Sequence, residues 1–120
     1  MKFIFATIHV KSLEDSIRFY EDVMGMKLVR RFSGGAGIDI AFLADGPAEM
    51  ELICDRNAKL PVYGEWPSLG FAVDDLDQAM KDMATHGIEI VSGPFQPNPA
   101  TRFFFIKDPD GIQLEIIEQK

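Results

Sequence analysis

The sequence is poor in the features on which several classes of protein depend. Its one cysteine, Cys54, cannot form a disulfide within the chain. This cysteine follows Leu52 and Ile53 in an apolar run, where a thiol usually behaves as a small buried hydrophobe. The chain contains no run of 18 apolar residues, so a membrane-spanning helix is not expected.

Positive charge is also scarce. The chain has 12 Lys and Arg residues against 19 Asp and Glu residues, a formal net charge of −7, and its longest basic run is Arg30-Arg31. Proteins that bind nucleic acid or anionic membranes present a basic patch. We therefore expect neither nucleic acid nor a membrane as a partner. Residues 1–5 lead into a strand-like segment without the apolar core of a signal peptide, and a cytoplasmic location is expected.

The apolar content is sufficient for one folded domain. Hydrophobic residues make up 47% of the 120 residues. A chain of this length buries roughly two thirds of its unfolded surface when it folds. The sequence therefore predicts a single domain over residues 1–120, without a second core.

The chain contains one internal repeat. Segments of the first half match segments of the second half in the same order: 10–17 with 73–80, 25–29 with 87–91, 42–45 with 105–108, and 50–53 with 114–117. Four collinear matches indicate a duplicated structural unit. We expect a first module over about 1–55, a linker over about 56–67 and a second module over about 68–120.

Each module shows the pattern of one strand, one helix and three further strands. Ser12 and Asp75 begin capping sequences at the helix starts, and Gly25 and Gly87 are placed to end the helices. The strand patterns cover 4–10, 27–32, 39–43 and 50–54, then 69–73, 89–92, 102–107 and 113–118. Turn residues separate them at 33–37, 45–47, 93–94, 97–99 and 108–111. The predicted fold class is α+β, with two βαβββ modules in tandem.

Two motifs resemble those of a known family. Residues 19–26 (FYEDVMGM) and 108–115 (DPDGIQLE) resemble the vicinal oxygen chelate superfamily, and the resemblance spans the whole chain. That superfamily includes glyoxalase I, extradiol dioxygenases, methylmalonyl-CoA epimerase, fosfomycin-modifying enzymes and bleomycin-binding proteins. The resemblance implies that the two modules form an open, cup-shaped β-barrel with the helices outside. It also implies a small organic molecule as the ligand and a homodimer as the assembly.

The resemblance also implies where a divalent metal would bind. In the metal enzymes of this family, the ligands come from the first and last strands of each module and are usually His, Glu, His and Glu. The corresponding positions here are Phe5, Glu51, Ser68 and Glu115. Both carboxylates are kept and both imidazoles are lost, and neither a phenyl ring nor a neutral hydroxyl replaces imidazole as a ligand. We therefore expect no metal cofactor.

Other candidate residues allow more than one interpretation. His9 shares a strand face with Phe5 and could be a third metal ligand, a general base, a ligand contact or a hydrogen-bonded structural residue. Arg102 could clamp a carboxylate or phosphate, or could project into solvent from an edge strand. Glu51 and Glu115 alternate with apolar neighbours, which also fits the solvent face of a half-buried strand.

Two functional hypotheses follow from these residues. The first is a metal-free domain that binds a small organic molecule with cationic or hydrogen-bond-donating groups. Its ligand contacts would be Phe5, His9, Ser68 and Arg102, beside the two carboxylates.

The alternative hypothesis is an enzyme of the glyoxalase, epimerase or dioxygenase type. Glu51 and Glu115 would then be catalytic and would hold Zn, Ni, Mn or Fe, with His9 as a third ligand. A purely structural or protein-interaction module is a third interpretation, because a fold by itself does not define a function.

Overall fold

The computed structural model describes residues 1–60, 62–64 and 67–120. The chain divides into two compact units, Met1–Pro61 and Val62–Lys120, and the boundary falls within the predicted linker. Pro61, Glu65 and Trp66, which belong to the predicted linker, lie outside the described residues. Within the described part, no helix is long and apolar enough to cross a membrane.

Both units have the predicted βαβββ order. The first consists of β1 (Phe5–His9), α1 (Leu13–Asp22), β2 (Lys27–Gly35), β3 (Ile38–Ala44) and β4 (Glu49–Asp55). The second consists of β5 (Ser68–Ala72), α2 (Leu76–Thr85), β6 (Ser92–Asn98), β7 (Thr101–Lys107) and β8 (Gln113–Gln119). Each forms an open, mixed four-stranded sheet, in the order β1-β4-β3-β2 or β5-β8-β7-β6. The first strand of each unit runs parallel to the last, and the α+β class is confirmed.

The predicted helix boundaries are confirmed by their capping contacts. The Ser12 hydroxyl accepts a hydrogen bond from the Asp15 backbone N–H at 3.2 Å, and the Asp75 carboxylate accepts one from a backbone N–H of the first turn at 3.1 Å. Gly25 and Gly87 follow the two helices with φ angles of 73° and 71°. This left-handed conformation is one that glycine adopts without strain, and it ends each helix.

Each sheet packs one face against the helix of its own unit. In β4 the buried residues Met50, Leu52 and Cys54 alternate with half-buried residues, and β8 shows the same alternation. The buried set faces side chains such as Leu13 and Tyr20 of α1 in the first unit. We call the opposite side of each sheet its helix-free face. Cys54 lies in the core, as predicted.

The strand β6 differs from the prediction. The sequence predicted a strand at 89–92 followed by turns at 93–94 and 97–99, whereas the structure has a strand over Ser92–Asn98. The strand contains Pro94 and Pro97, which cannot donate backbone hydrogen bonds. The two prolines are tolerated because β6 is an edge strand and pairs irregularly with β7.

The strand β2 is also longer than predicted. It continues through part of the predicted turn to Gly35, so that only residues 36 and 37 connect it to β3. A side chain at Gly34 would place its Cβ 2.7 Å from the Ile40 side chain. Glycine is therefore used in this strand for close approach to β3, and not for a turn.

The motif at residues 108–111 forms a turn, as predicted. The buried Asp108 carboxylate accepts hydrogen bonds from the backbone N–H groups of Asp110 and Ile112, both at 2.9 Å. Gly111 has a φ of 90°. The motif therefore serves the connection between β7 and β8.

Candidate functional site

The helix-free face of the first unit collects the candidate residues of its first and last strands. In the parallel pairing of β1 with β4, Thr7 lies opposite Glu51 and His9 lies opposite Ile53. In the antiparallel pairing of β3 with β4, Phe42 also lies opposite Glu51. Glu51 is therefore at the centre of the face, between a hydroxyl on one side and an aromatic ring on the other.

Three phenylalanines form the apolar part of this face. The ring of Phe42 is buried, and the ring of Phe5 meets it edge-on with the centroids 5.5 Å apart. The ring of Phe32 is stacked on Phe42 with the centroids 6.2 Å apart. Phe5 and Phe32 keep 40% and 45% of their surface exposed, so the cluster offers aromatic surface to a binding partner.

Arg30 connects the aromatic cluster to a carboxylate. Its guanidinium carbon lies 4.0 Å from the centroid of the Phe42 ring. Two of its nitrogens donate to the two oxygens of Glu49, at 2.9 and 3.1 Å. The hydrogen bonds to Glu49 raise the pKa of Arg30, and the negative charge of Glu51 adds to the increase. The negative charge of Glu49 is thus balanced by Arg30 of the same unit.

Thr7 makes the hydrogen bond that orients Glu51. Its hydroxyl donates to one carboxylate oxygen of Glu51 at 2.6 Å. The two residues are 44 positions apart in the sequence and are brought together by the strand pairing.

The second unit repeats this face with different neighbours. Glu115 lies opposite Gly70 on one side and Phe105 on the other. Phe105 packs with Phe103 and Phe95, at centroid distances of 5.7 and 6.4 Å. Among residues 1–60, 62–64 and 67–120, no side chain hydrogen-bonds to Glu115. Ser68, the predicted counterpart of a metal ligand, lies two residues before Gly70 on the same face.

Arg102 lies on the other side of the second sheet. It is paired across the strands with the buried Glu118, on the face that packs against α2. Two nitrogens of its guanidinium donate to the two carboxylate oxygens of Asp77 in α2, and the shorter of these hydrogen bonds is 2.8 Å. The hydrogen bonding from Arg102 lowers the pKa of Asp77. The structure therefore does not bring Arg102 together with Glu115. A ligand contact by Arg102 stays a prediction, and this placement argues against it.

His9 lies at the exposed end of the first helix-free face. It borders a cavity of about 260 Å³ that is also lined by Asp55, Ala58, Lys59 and Leu60. In the described part of the chain, His, Cys, Asp and Glu side chains form no group of three or more that could hold a metal ion. The proposed role of His9 as a third metal ligand stays a prediction.

The chain matches the model of a known protein family. The model of the Glyoxalase/Bleomycin resistance protein/Dioxygenase superfamily matches residues 2–116. The chain belongs to this superfamily. The resemblance found in the sequence is therefore confirmed.

Individual relatives agree with this assignment. The uncharacterized protein YwbC of Bacillus subtilis is 32% identical over 117 residues, covering 93% of each chain. A lactoylglutathione lyase of Haemophilus influenzae is 30% identical over 128 residues, covering 100% of this chain and 94% of the relative.

Solved structures of the superfamily have the same fold. Glyoxalase I from Zea mays superposes with a TM-score of 0.85 at 25% identity, over 98% of this chain. This chain spans only 44% of the Zea mays chain. A glyoxalase family protein from Bacillus cereus gives a TM-score of 0.81 at 26% identity, over 99% of this chain and 94% of that one.

The residues at the four positions that the sequence predicts to correspond to the family's metal ligands do not fit the usual divalent metal. Phe5 has no donor atom, and its ring packs against Phe42. Ser68 offers only a neutral hydroxyl, which binds such metals less well than imidazole. Glu51 and Glu115 are suitable ligands, but Glu51 already accepts a hydrogen bond from Thr7.

Several residues of the site were not identified from the sequence. Strand alternation places Thr7 on the face of Phe5, and this signal was available. Arg30 gave no such signal, because a bulge between Leu28 and Arg30 changes the side to which the strand directs its residues. Leu28 pairs on the helix side of the sheet, whereas Arg30 lies opposite Phe42.

Proposed function

We propose that this chain binds a small organic molecule on the helix-free faces of its sheets, without the divalent metal used by enzymes of its superfamily. The observation that carries the proposal is the packing of Phe5. At the position of the first expected metal ligand, a hydrocarbon ring lies edge-on against the buried ring of Phe42. A side chain that completes an aromatic cluster supports recognition of an apolar group at this position.

The chemistry of the faces supports a particular class of ligand. The exposed parts of Phe5 and Phe32 favour a flat, apolar portion. Glu51 on this face, and Glu115 on the face of the second unit, each favour a cationic or hydrogen-bond-donating substituent. Arg30, whose guanidinium lies over the Phe42 ring, is occupied by Glu49. The proposed ligand is therefore an aromatic or amphiphilic molecule with an amine, amidine or similar donor.

Metal analysis tests the proposal directly. Protein purified without chelators and without a histidine tag should contain no stoichiometric metal. Calorimetric titration with Mn²⁺, Fe²⁺, Ni²⁺ and Zn²⁺ should give no tight binding, because carboxylates without imidazole form a weak site for these ions. Near-stoichiometric metal that is lost in Glu51→Gln would refute the proposal.

A thermal-shift screen tests the ligand class. A ligand that binds only the folded state raises the melting temperature, by an amount that grows with the logarithm of 1 + [L]/Kd. Amphiphilic amines and amidines should raise it, and the same scaffolds carrying a carboxylate should not. Glu115→Gln should reduce the shifts given by the cationic compounds. An equal response to both charge classes would contradict the assignment of the carboxylates.

A second candidate function is an enzyme of the lactoylglutathione lyase type. It is favoured by the lactoylglutathione lyase of Haemophilus influenzae, which matches the whole chain at 30% identity, and by the retention of both carboxylates. In this case Glu51 and Glu115 would hold the metal and move a proton. Lactoylglutathione lyase activity that requires added Zn²⁺ or Ni²⁺ and disappears in Glu115→Gln would establish it.

The location and assembly of the protein remain predictions. We expect a cytoplasmic homodimer, and sedimentation of the purified chain over a range of concentrations measures the assembly.

A further inference from the structure

The two glutamates at equivalent positions have different neighbours. Each lies on the last strand of its unit, with a phenylalanine opposite it on one side: Phe42 for Glu51 and Phe105 for Glu115. On the other side, the first strand places a threonine beside Glu51 and a glycine beside Glu115. Positions 7 and 70 are therefore one pair of equivalent positions at which the surroundings of the two carboxylates differ.

The contact at position 7 holds one carboxylate in place. The 2.6 Å hydrogen bond from Thr7 fixes one oxygen of Glu51 and leaves the other to accept a hydrogen bond from a partner. A β-branched side chain in a strand has few rotamers, so the hydroxyl is itself well positioned. Glu115 has no such donor among the described residues.

The space at position 70 is free. A Cβ built on Gly70 meets no atom of the described residues within 4 Å, and the backbone there is not in the left-handed region that would require glycine. The Cβ of a side chain at position 70 therefore displaces no described neighbour. The absence of a side chain beside Glu115 is not imposed by packing.

We infer that Thr7 is a positioning residue that orients Glu51, while Gly70 leaves Glu115 free to change its rotamer. Glu51 then supplies a preoriented acceptor on the face of the first unit, and Glu115 supplies an adaptable acceptor on the face of the second. Preorienting a carboxylate lowers the entropic cost of ordering its side chain when a ligand binds. The part of this inference that concerns a ligand depends on the proposed function, whereas the difference in side-chain order does not.

Nuclear magnetic resonance of the ligand-free protein tests the difference in order. Three-bond couplings between the Hα and Hβ protons report whether a glutamate occupies one χ1 rotamer or several. Wild type should show one rotamer for Glu51 and averaging for Glu115. Thr7→Val, which keeps the shape but removes the hydroxyl, should cause averaging at Glu51, and Thr7→Ser should restore the single rotamer.

Introducing a threonine at position 70, the equivalent of position 7, provides the matched control. Gly70→Thr should reduce averaging at Glu115 and leave Glu51 unchanged. The inference is overturned if Thr7→Val leaves the Glu51 couplings unaltered, or if wild-type Glu115 already occupies one rotamer. The rescue by Thr7→Ser separates the effect of the hydroxyl from any general effect on folding.

Binding of benzamidine, a flat aromatic cation, tests the consequence for a ligand. Thr7→Val should weaken it about fivefold, the size expected when binding must also immobilise one side chain that is already fixed in wild type, and Thr7→Ser should keep the wild-type affinity. Equal or tighter binding by Thr7→Val would overturn the preorientation argument. If benzamidine binds neither wild type nor any variant, the result counts against the proposed function, and the couplings alone decide the role of Thr7.

Discussion

Replacing Phe42 gives the most direct test of how the aromatic cluster supports the fold. Phe42 is 6% exposed, and it contacts the rings of Phe5 and Phe32. Phe42→Ala removes a buried ring and should lower the free energy of unfolding by about 3–5 kcal/mol. A domain of this kind is stable by about 5–15 kcal/mol in total, so the loss is a large fraction.

A smaller substitution keeps the test informative if the alanine variant does not fold. Phe42→Leu retains most of the buried volume but removes the ring–ring contacts, each worth about 0.5–1.5 kcal/mol. We expect a loss of about 1–2 kcal/mol, between wild type and the alanine variant. Urea unfolding followed by circular dichroism measures each difference, with a common slope as the check for two-state behaviour.

The repeat supplies a matched position for comparison. Phe105 occupies the equivalent place in the second unit, opposite Glu115, but it is only half-buried. Phe105→Ala should therefore cost less than Phe42→Ala, about 1–3 kcal/mol. If Phe105→Ala is as destabilising as Phe42→Ala, the burial of Phe42 is not the cause of its effect and the reasoning is refuted.

Two further predictions concern glycine positions and an ion pair. Gly34→Ala should lower the free energy of unfolding by about 1–3 kcal/mol, because its Cβ would lie 2.7 Å from the Ile40 side chain and 2.9 Å from that of Ile38. Gly70→Ala, whose Cβ would meet no described atom within 4 Å, should be neutral or stabilising in the same urea experiment. Arg102 lowers the pKa of Asp77 from its ordinary value of 3.8, so the pair stabilises the fold above that pH and the contribution is lost as the pH falls through the lowered value. Arg102→Met should therefore be less stable than wild type near pH 7, and the difference should shrink towards about pH 2; a difference that grows on acidification would contradict this assignment.

The elements predicted correctly are those that depend on nearby residues. The caps at Ser12 and Asp75 act over three residues, and the glycines that end the helices act on their own backbone. The repeat then allowed each module to support the interpretation of the other. The errors in β2 and β6 fall on edge strands, where glycine and proline are permitted because fewer backbone hydrogen bonds are needed.

The sequence by itself determined the superfamily, the order of the elements and which residues of a strand share a face, as Phe5 and His9 do. These follow from motifs, periodicity and strand alternation, which are local properties of the chain. Only the tertiary structure decided which side chains meet. The contact of Thr7 with Glu51 depends on the register of two strands 44 residues apart, and the position of Arg30 over Phe42 depends on a bulge in β2. Register and bulges are set by pairing between distant strands, so no local pattern specifies them.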